Sequence, residues 1–450
     1  MKLKIAAFLF LAAVARADTL PDWHDGFGAP PAGLGLNGDP RALLAHDGSL
    51  YCGGSFNQAG PVTSWFLARL DRVNSSFAWT SLGDLDNRVN ALTAWGDSVL
   101  AGGRFTLVDG VDADRVAVWD GAAWHAVGDP AAWTWGHVSA LTVIDGTPWA
   151  AGTGFVVRWN GSAWISMTGS GFTGDVFALA AYDGAPVMGG AFASVPNPAD
   201  DPTAAANVAR WDGAMWRALG GGLGDTCYAL AAWNGGLVAG GVFTSPAALA
   251  ARWNGSGWSA LGAGVVGTAV TALAPWGNRL AVGGDLTGAG SAAVSDLALY
   301  DGALWSDVTE GVDGLVRALA PWDGALAVGG GFTLVRGGTL ESSHIGLWID
   351  PTVGVDDAPA PLALHAAPNP FNPRVILRFE RPAAGAARLE IFDARGRRVR
   401  RLPDGEPTAG VAEIAWDGRD DAGRLLPAAV YLARLTVGDA AATARVTLAR

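Results

Sequence analysis

Between residues 40 and 350, short apolar runs alternate with polar turn dipeptides, and the alternation repeats. The pair Ala-Leu occurs at Ala42-Leu43, Ala91-Leu92, Ala140-Leu141, Ala178-Leu179, Ala229-Leu230, Ala272-Leu273 and Ala318-Leu319. Eleven residues beyond each Ala stands a small doublet: Gly53-Gly54, Gly102-Gly103, Ala151-Gly152, Gly189-Gly190, Gly240-Gly241, Gly283-Gly284 and Gly329-Gly330. Three residues past the first member of the doublet come Phe56, Phe105, Phe192, Phe243, Leu286 and Phe332, and in the third copy Phe155 arrives one residue later. A constant internal offset in copies 38 to 51 residues apart defines one supersecondary unit used seven times.

Each unit predicts four short antiparallel strands. The first two flank Asp47-Gly48, Gly96-Asp97, Asp145-Gly146, Asp183-Gly184, Asn234-Gly235, Gly277-Asn278 or Asp323-Gly324. The last two flank an aromatic-Asp/Asn-Gly-x-x-Trp signature, at Trp119 to Trp124, Trp159 to Trp164, Trp211 to Trp216, Trp253 to Trp258 and Tyr300 to Trp305. Asp-Gly and Asn-Gly between apolar runs suit a tight hairpin whose two central residues have φ > 0. Four strands in this length make a propeller blade. Ala and Gly on the inner strands predict crowding across a ring, and the Trp residues predict blade-to-blade packing. The seventh unit ends at Trp348-Ile349-Asp350 before Pro351, without its fourth strand. The segment at Trp23 is therefore expected to complete it.

These blades resemble those of Kelch-like bacterial secreted propellers, which read "AGG-x-F-T … ARWDG-x-x-W-x-x-LG". The resemblance covers Trp23 to Asp350 and implies a fold, with little said of activity. The link from Phe to the next Trp varies from four residues after Phe155 to nineteen after Phe192, so the variable links are expected to share one face. Variable loops on a rigid scaffold are a usual place for binding. Acidic residues gather in them, and Asp109, Asp112, Asp114, Asp200 and Asp201 are the candidate ligand-binding residues there.

After Asp350 the Trp-Gly periodicity stops. Pro351, Pro359 and Pro361 mark a linker, and about 85 residues of short strands with turn punctuation predict a small β-sandwich. Pro368-Asn369-Pro370 opens this module, Asp393 and Gly396 form an Asp-x-x-Gly turn, and Tyr431 lies on a late strand. With the apolar-basic ending at the last residue, these features look like the C-terminal sorting domain of type IX secretion. That family is akin to the Ig-like domain of flagellar hook-capping proteins. The resemblance implies that the module directs passage across the outer membrane, through contact with the secretion machinery. The family usually has Gly before Val-Tyr, whereas this chain has Ala429.

The expected organisation is all-β: a signal peptide over 1–17, a seven-bladed β-propeller over 18–350, a linker over 351–365 and an Ig-like sorting domain over 366–450. The leader reading rests on Lys2 and Lys4, the apolar run Ile5 to Val14, and the small-x-small site Ala15-Arg16-Ala17. No segment is long and apolar enough to span a bilayer. Residues 1–358 hold 16 basic and 32 acidic side chains, and this balance disfavours nucleic acid. Cys52 and Cys227 fall on units that are not neighbours in a ring of seven, so they are expected as two buried thiols.

Several patterns carry no chemistry. Gly33, Gly35 and Gly38 fit a dinucleotide motif by letter, but Pro40 follows and no helix does. Gly96-Asp97-Ser98 falls at a repeat turn. The six His residues lack metal-ligand spacing, and Asp112-Ala113-Asp114 is half a calcium loop without its Gly or Glu. Inner strands written mostly in Ala, Leu, Val and Gly argue against a catalytic constellation in the channel. The expected function is a non-catalytic binding propeller, secreted or on the outer cell surface, with neither metal nor cofactor and an extracellular glycan or protein as partner. The alternatives are an extracellular enzyme of glycan or ester chemistry and a structural surface protein.

Overall fold

The computed structural model describes residues 22–73, 76–129, 136–169, 171–196, 202–350, 364–367, 371, 374–381, 387–393, 397–402, 410–437 and 440–449. The described residues form strands and turns without a helix. They fall into two compact units, 1–355 and 356–450.

Among the described residues, the first unit contains seven antiparallel sheets of four or five strands that follow one another along the chain, with small two-stranded hairpins in some of the links. Sheet 1 is Pro40–His46, Ser49–Gly54, Leu67–Val73 and Ser76–Ser81. Sheet 2 is Val89–Trp95, Ser98–Gly103, Val116–Trp119 and Trp124–Ala126. Sheets 3 to 6 open with Val138–Ile144, Asp175–Tyr182, Cys227–Trp233 and Val265–Trp276. Sheet 7 is Val316–Trp322, Ala325–Gly330, Ile345–Ile349 and, from the other end of the sequence, Asp22–Trp23. There Asp22 opposes Ile349 and Trp23 opposes Trp348. The first strand of each sheet packs against that of the next, and the first strand of sheet 7 packs against that of sheet 1.

One irregularity recurs in every sheet. The register of the first strand against the second slips between Pro40 and Ala42, Val89 and Ala91, Val138 and Ala140, and Val176 and Ala178. It slips again between Cys227 and Ala229, Val270 and Ala272, and Val316 and Ala318. The residue immediately before each Ala-Leu is thus the extra residue of a β-bulge. A bulge leaves that residue unpaired and re-aims its side chain.

The bulge explains the glycine doublet. A Cβ on the second glycine would fall on a backbone carbonyl of the bulged strand or the residue before it, as at Gly54 on Asp39 and Gly284 on Ala269. A Cβ on the first would meet the next sheet, 2.6 Å from Val89 Cγ1 at Gly53 and 2.6 Å from Cys227 Sγ at Gly189. The crowding comes from the bulge and the adjacent sheet. The expected clash across the ring is corrected accordingly.

The two turn types also separate. Asp47 and Gly48 have φ of 48° and 75°, and Asn234 and Gly235 have 52° and 72°, as a two-residue hairpin of this kind requires. In the Trp-Asp-Gly-x-x-Trp turns only the glycine has positive φ, 97° at Gly121. Asp120 Oδ1 instead accepts hydrogen bonds from the Ala122 and Ala123 amides, both at 2.8 Å. For these turns the expectation of two positive φ values is corrected: the carboxylate holds an Asx-type loop.

The tryptophans of the paired hairpins are structural. Trp119 and Trp124 face each other across one hairpin with ring centroids 5.5 Å apart, and Trp211 and Trp216 repeat the arrangement at 5.5 Å. The second Trp then donates its Nε1–H to a carbonyl of the segment before its sheet, as Trp216 does to Met167 O at 2.8 Å and Trp258 to Leu219 O at 2.8 Å. A buried indole of about 150–250 Å² contributes several kcal/mol at about 25 cal/mol/Å².

The second unit is a two-layer sandwich. One sheet holds Leu364–Ala367, Val375–Arg381 and Gly410–Trp416; the other holds Arg398–Leu402, Ala387–Phe392, Ala429–Val437 and Ala440–Leu448. Both sheets contribute to one core, with Trp416 between Phe371 and Tyr431 at centroid distances of 5.4 Å each. The Tyr431 hydroxyl donates to Pro427 O at 2.8 Å. Such a Tyr-to-upstream-backbone bond fixes a corner in Ig-like sandwiches.

Candidate functional site

The seven bulges converge. Arg41, Asn90, Ser139, Phe177, Tyr228, Thr271 and Arg317, one from each sheet, line a single cavity of about 800 Å³. Arg88, Arg104 and His137 border it from the ends of inner strands in sheets 2 and 3, and Thr268 and Asp285 from sheet 6. The cavity lies where first strands begin and second strands end, the end to which the variable links attach. The expectation of an inner lining written in Ala, Leu, Val and Gly is corrected. Those small residues build the walls, and the bulge residue supplies the lining. Its signal was in the sequence, as the one position beside Ala-Leu that is polar or aromatic in all seven copies.

The lining is divided by chemistry. Arg317, Arg41, Arg88 and Arg104 come from sheets 7, 1 and 2, which are consecutive neighbours. Phe177 and Tyr228 come from sheets 4 and 5, the sheets furthest from sheet 1 in that succession, and their rings pack 5.4 Å apart. Arg317 Nε donates to Asp39 Oδ2 at 3.1 Å, and His344 Nδ1 lies 3.2 Å from Asp39 Oδ1. Arg41 and Arg88 have buried Nε atoms without a hydrogen-bond partner among the described residues. Burial, then Arg88 and Arg317, lowers the Arg41 pKa from its ordinary value, against the pull of Asp39. Burial and then Arg104 lower that of Arg88. His137 is also lowered, by burial first and then by Arg104, Arg88 and Arg115, with Asp175 opposing.

Three of the remaining polar groups, Asn90, Thr271 and Thr268, are already engaged. Asn90 Nδ2 donates to Val138 O at 2.7 Å, and the Thr271 hydroxyl donates to Val316 O; each ties its sheet to the next. The Thr268 hydroxyl donates to Asp285. What this geometry leaves unmatched is positive charge.

The acidic candidates lie in the links. Asp109, with φ of 49°, and Gly110 form the turn of a small hairpin, Leu107–Val108 with Val111–Asp112, in which Asp112 opposes Leu107. Asp114 lies 3.4 Å from Arg115, and burial is the first cause of its raised pKa, with Asp112 and Asp86 adding to it. No group of three His, Cys, Asp or Glu among the described residues is arranged to hold a metal ion. Asp200 and Asp201 lie outside the described residues.

Of the sorting residues, Asp393 and Tyr431 line one cavity of about 640 Å³ with Arg397, Leu426, Pro427 and Val430. Asp393 Oδ1 accepts from the Arg397 amide at 3.0 Å and its Oδ2 from Arg397 Nε at 3.1 Å, which closes the turn. Pro368, Asn369, Pro370 and Gly396 are outside the described residues. Cys52 and Cys227 are free and buried, and burial raises both thiols, Cys227 to about 12.

Residues 375–440 match the family model of the FlgD Ig-like domain, so the second unit is an Ig-like domain. No curated protein matches the chain. Among solved structures, the chain is similar to the extracellular domain of a putative hybrid two-component system of B. thetaiotaomicron, with 11% identity over 92% of this chain and a TM-score of 0.43. The chain spans 56% of the length of that structure. It is also similar to PorZ, described as an essential bacterial surface component of the type-IX secretion system of Porphyromonas gingivalis. That match has 12% identity, covers 93% of this chain and 75% of that one, and has a TM-score of 0.27. A third similar structure is YjhT, at 11% identity over 69% of this chain and 95% of that one, with a TM-score of 0.35.

Proposed function

We propose that the seven sheets are the blades of a β-propeller that acts as a non-catalytic binding module, secreted or held at the outer cell surface. Its partner enters from the face that carries the variable links. The observation that carries this reading is the sevenfold bulge, which gathers one side chain per sheet at a common cavity. The packing of each first strand on the next, from sheet 7 back to sheet 1, supports the blade arrangement. The pairing of Trp23 with Trp348 supports closure by the N-terminal segment. For the absence of catalysis, the support is chemical: Asp285 is engaged by Thr268, and the four arginines do not exchange protons near neutrality. His137, the one lining group that titrates near neutrality, is surrounded by arginines with no carboxylate beside it in the lining to form an acid–base pair.

In the same reading the Ig-like unit is a type IX sorting module, preceded in synthesis by the leader over 1–17. Among the described residues no helix is long and apolar enough to cross a membrane. The meeting of Asp393 and Tyr431 at one cavity supports a recognition surface there. The test is export of a chain lacking residues 366–450 from its native host. The truncated chain is expected to stay in the periplasm while the full chain leaves the cell. Normal export of the truncation would refute the sorting role. Turnover of a glycoside or ester by the purified protein, abolished with the Arg41→Gln change, would replace binding with catalysis.

A further inference from the structure

We infer that the cavity at the seven bulges binds a cyclic organic carboxylate, its charged group at Arg41, Arg88 and Arg104 and its apolar ring against Phe177 and Tyr228. This deepens the binding-module reading and rests on it.

Of the thirteen arginines between residues 18 and 355, four line this one cavity, in a chain of net charge −12. Folding brings Arg41, Arg88 and Arg104 together with no ion pair among the described residues, and Asp39 only partly offsets the charge at Arg41. Burial and mutual repulsion act against the first two. Leaving buried guanidinium donors unsatisfied costs free energy that a native chain normally avoids. A bound anion removes that cost by accepting from these groups. A planar carboxylate matches the guanidinium fork, and such charge-assisted bonds are the stronger kind.

The far wall excludes a bare inorganic anion as the best occupant. Phe177 and Tyr228 stand at bulge positions homologous to Arg41 and Arg317, so the same backbone device aims them into the same space. They are half-buried and pack on each other, which presents an apolar surface. A volume of about 800 Å³ is within the usual range for small-molecule sites. A polyhydroxylated ligand would need many hydrogen-bond partners. Asn90, Thr268 and Thr271 are committed to Val138, Asp285 and Val316. The unused capacity is therefore mainly cationic on one side and aromatic on the other, with the Ser139 and Tyr228 hydroxyls as the few neutral hydrogen-bonding groups left.

The experiment is calorimetric titration of the full chain at low salt with benzoate and cyclohexanecarboxylate. Inorganic phosphate, benzyl alcohol and glucuronate serve as comparison ligands. Saturable binding of one molecule of benzoate or cyclohexanecarboxylate per chain is expected. Arg41→Gln and Arg88→Gln should each weaken it at least tenfold, and Phe177→Ala severalfold. Arg217→Gln, at an exposed hairpin pair with Asp212, should leave it unchanged. Near-UV circular dichroism identifies any variant that has lost its fold, and Arg41→Lys, which keeps a cation without the fork, gives a second reading at that position. Phosphate binding as well as either carboxylate would overturn the apolar part of the proposal, and glucuronate binding more tightly would do the same. No saturable binding of either cyclic carboxylate, or unchanged affinity in both arginine variants, would overturn it entirely. Failure of the binding-module reading would instead appear as turnover of a glycoside or ester by the same protein, so absence of carboxylate binding without turnover overturns this inference alone.

Discussion

At the scale of single residues, two kinds of glycine look alike in the sequence and differ in what they do. Gly284 lies opposite the bulge of sheet 6, and a methyl group there would come within 2.0 Å of the Ala269 carbonyl oxygen. Gly257, in the turn before Trp258, has no atom within 4 Å of an added Cβ and no positive φ. Gly284→Ala is therefore expected to destabilise the chain by about 2 kcal/mol or more, because backbone must move. Gly257→Ala should change stability by less than about 0.5 kcal/mol. Chemical denaturation of the two variants checks the difference, and equal effects would remove the bulge explanation of the doublet. The residue at the bulge shows where reading the sequence stopped short. Periodicity located the Ala-Leu pair and its neighbours because they repeat in kind. Arg41, Asn90, Ser139, Phe177, Tyr228, Thr271 and Arg317 share only a position, and identity-based matching passes over a position whose content varies. Their common direction comes from a slip in strand register, a backbone property that these seven residue types do not encode individually.

At the scale of elements, the strand that completes sheet 7 is the shortest in that sheet and comes from the far end of the unit. Asp22–Trp23 contributes two residues of pairing, but its continuation is tied in further. The Phe27 carbonyl accepts from the Ser343 amide at 2.7 Å, the Leu36 amide donates to Ser343 O at 2.8 Å, and Phe27 and Leu36 are fully buried. Trp23 is 4% exposed, in one cluster with Trp276, Val308, Phe332 and Trp348. Loop-closure entropy rises only with the logarithm of the intervening length, by about 0.6 kcal/mol per doubling, so a distant partner is not prohibitive. What holds the strand is the indole. Trp23→Ala is expected to cost about 3–5 kcal/mol and to expose the N-terminal segment to protease before the rest of the unit unfolds. Thermal unfolding with limited proteolysis would show this, and an unchanged melting temperature would mean the closing strand contributes nothing. This strand was legible because Trp348 lacked the partner that Trp119 and Trp211 have five residues later. The small hairpins in the variable links, such as Leu107–Val108 with Val111–Asp112, were not, since two-residue strands leave no periodicity to read.

For the molecule as a whole, charge is distributed against the average. At the aromatic-Asp-Gly turns, backbone amides and neighbouring basic side chains stabilise the ionised carboxylate. Asp120 is held down to about 2, first by the Ala123 amide and then by His125, and Asp212 to about 2, first by Arg217. Both have folded values below the ordinary 3.8, so their contribution is present above that value and disappears as pH falls toward 2. His137 acts in a different window and for the opposite electrostatic reason. Burial and Arg104, Arg88 and Arg115 lower it below 6.5, and Asp175 only partly offsets them. The folded state therefore binds fewer protons than the unfolded state, so stability from this group is present above pH 6.5 and declines as pH falls below it. The same protonation adds a cation to the cavity. An aromatic sulfonate, which stays ionised throughout, should consequently bind more tightly as pH falls from 7.5 to 5 even as the free chain becomes less stable. His137→Gln should flatten both trends while leaving the acid-side loss below pH 3.8 in place. Titration of benzenesulfonate across this range, paired with denaturation of the free chain, distinguishes a titrating cavity wall from general acid sensitivity. Affinity that falls with pH in the unmodified chain would place His137 away from the bound anion.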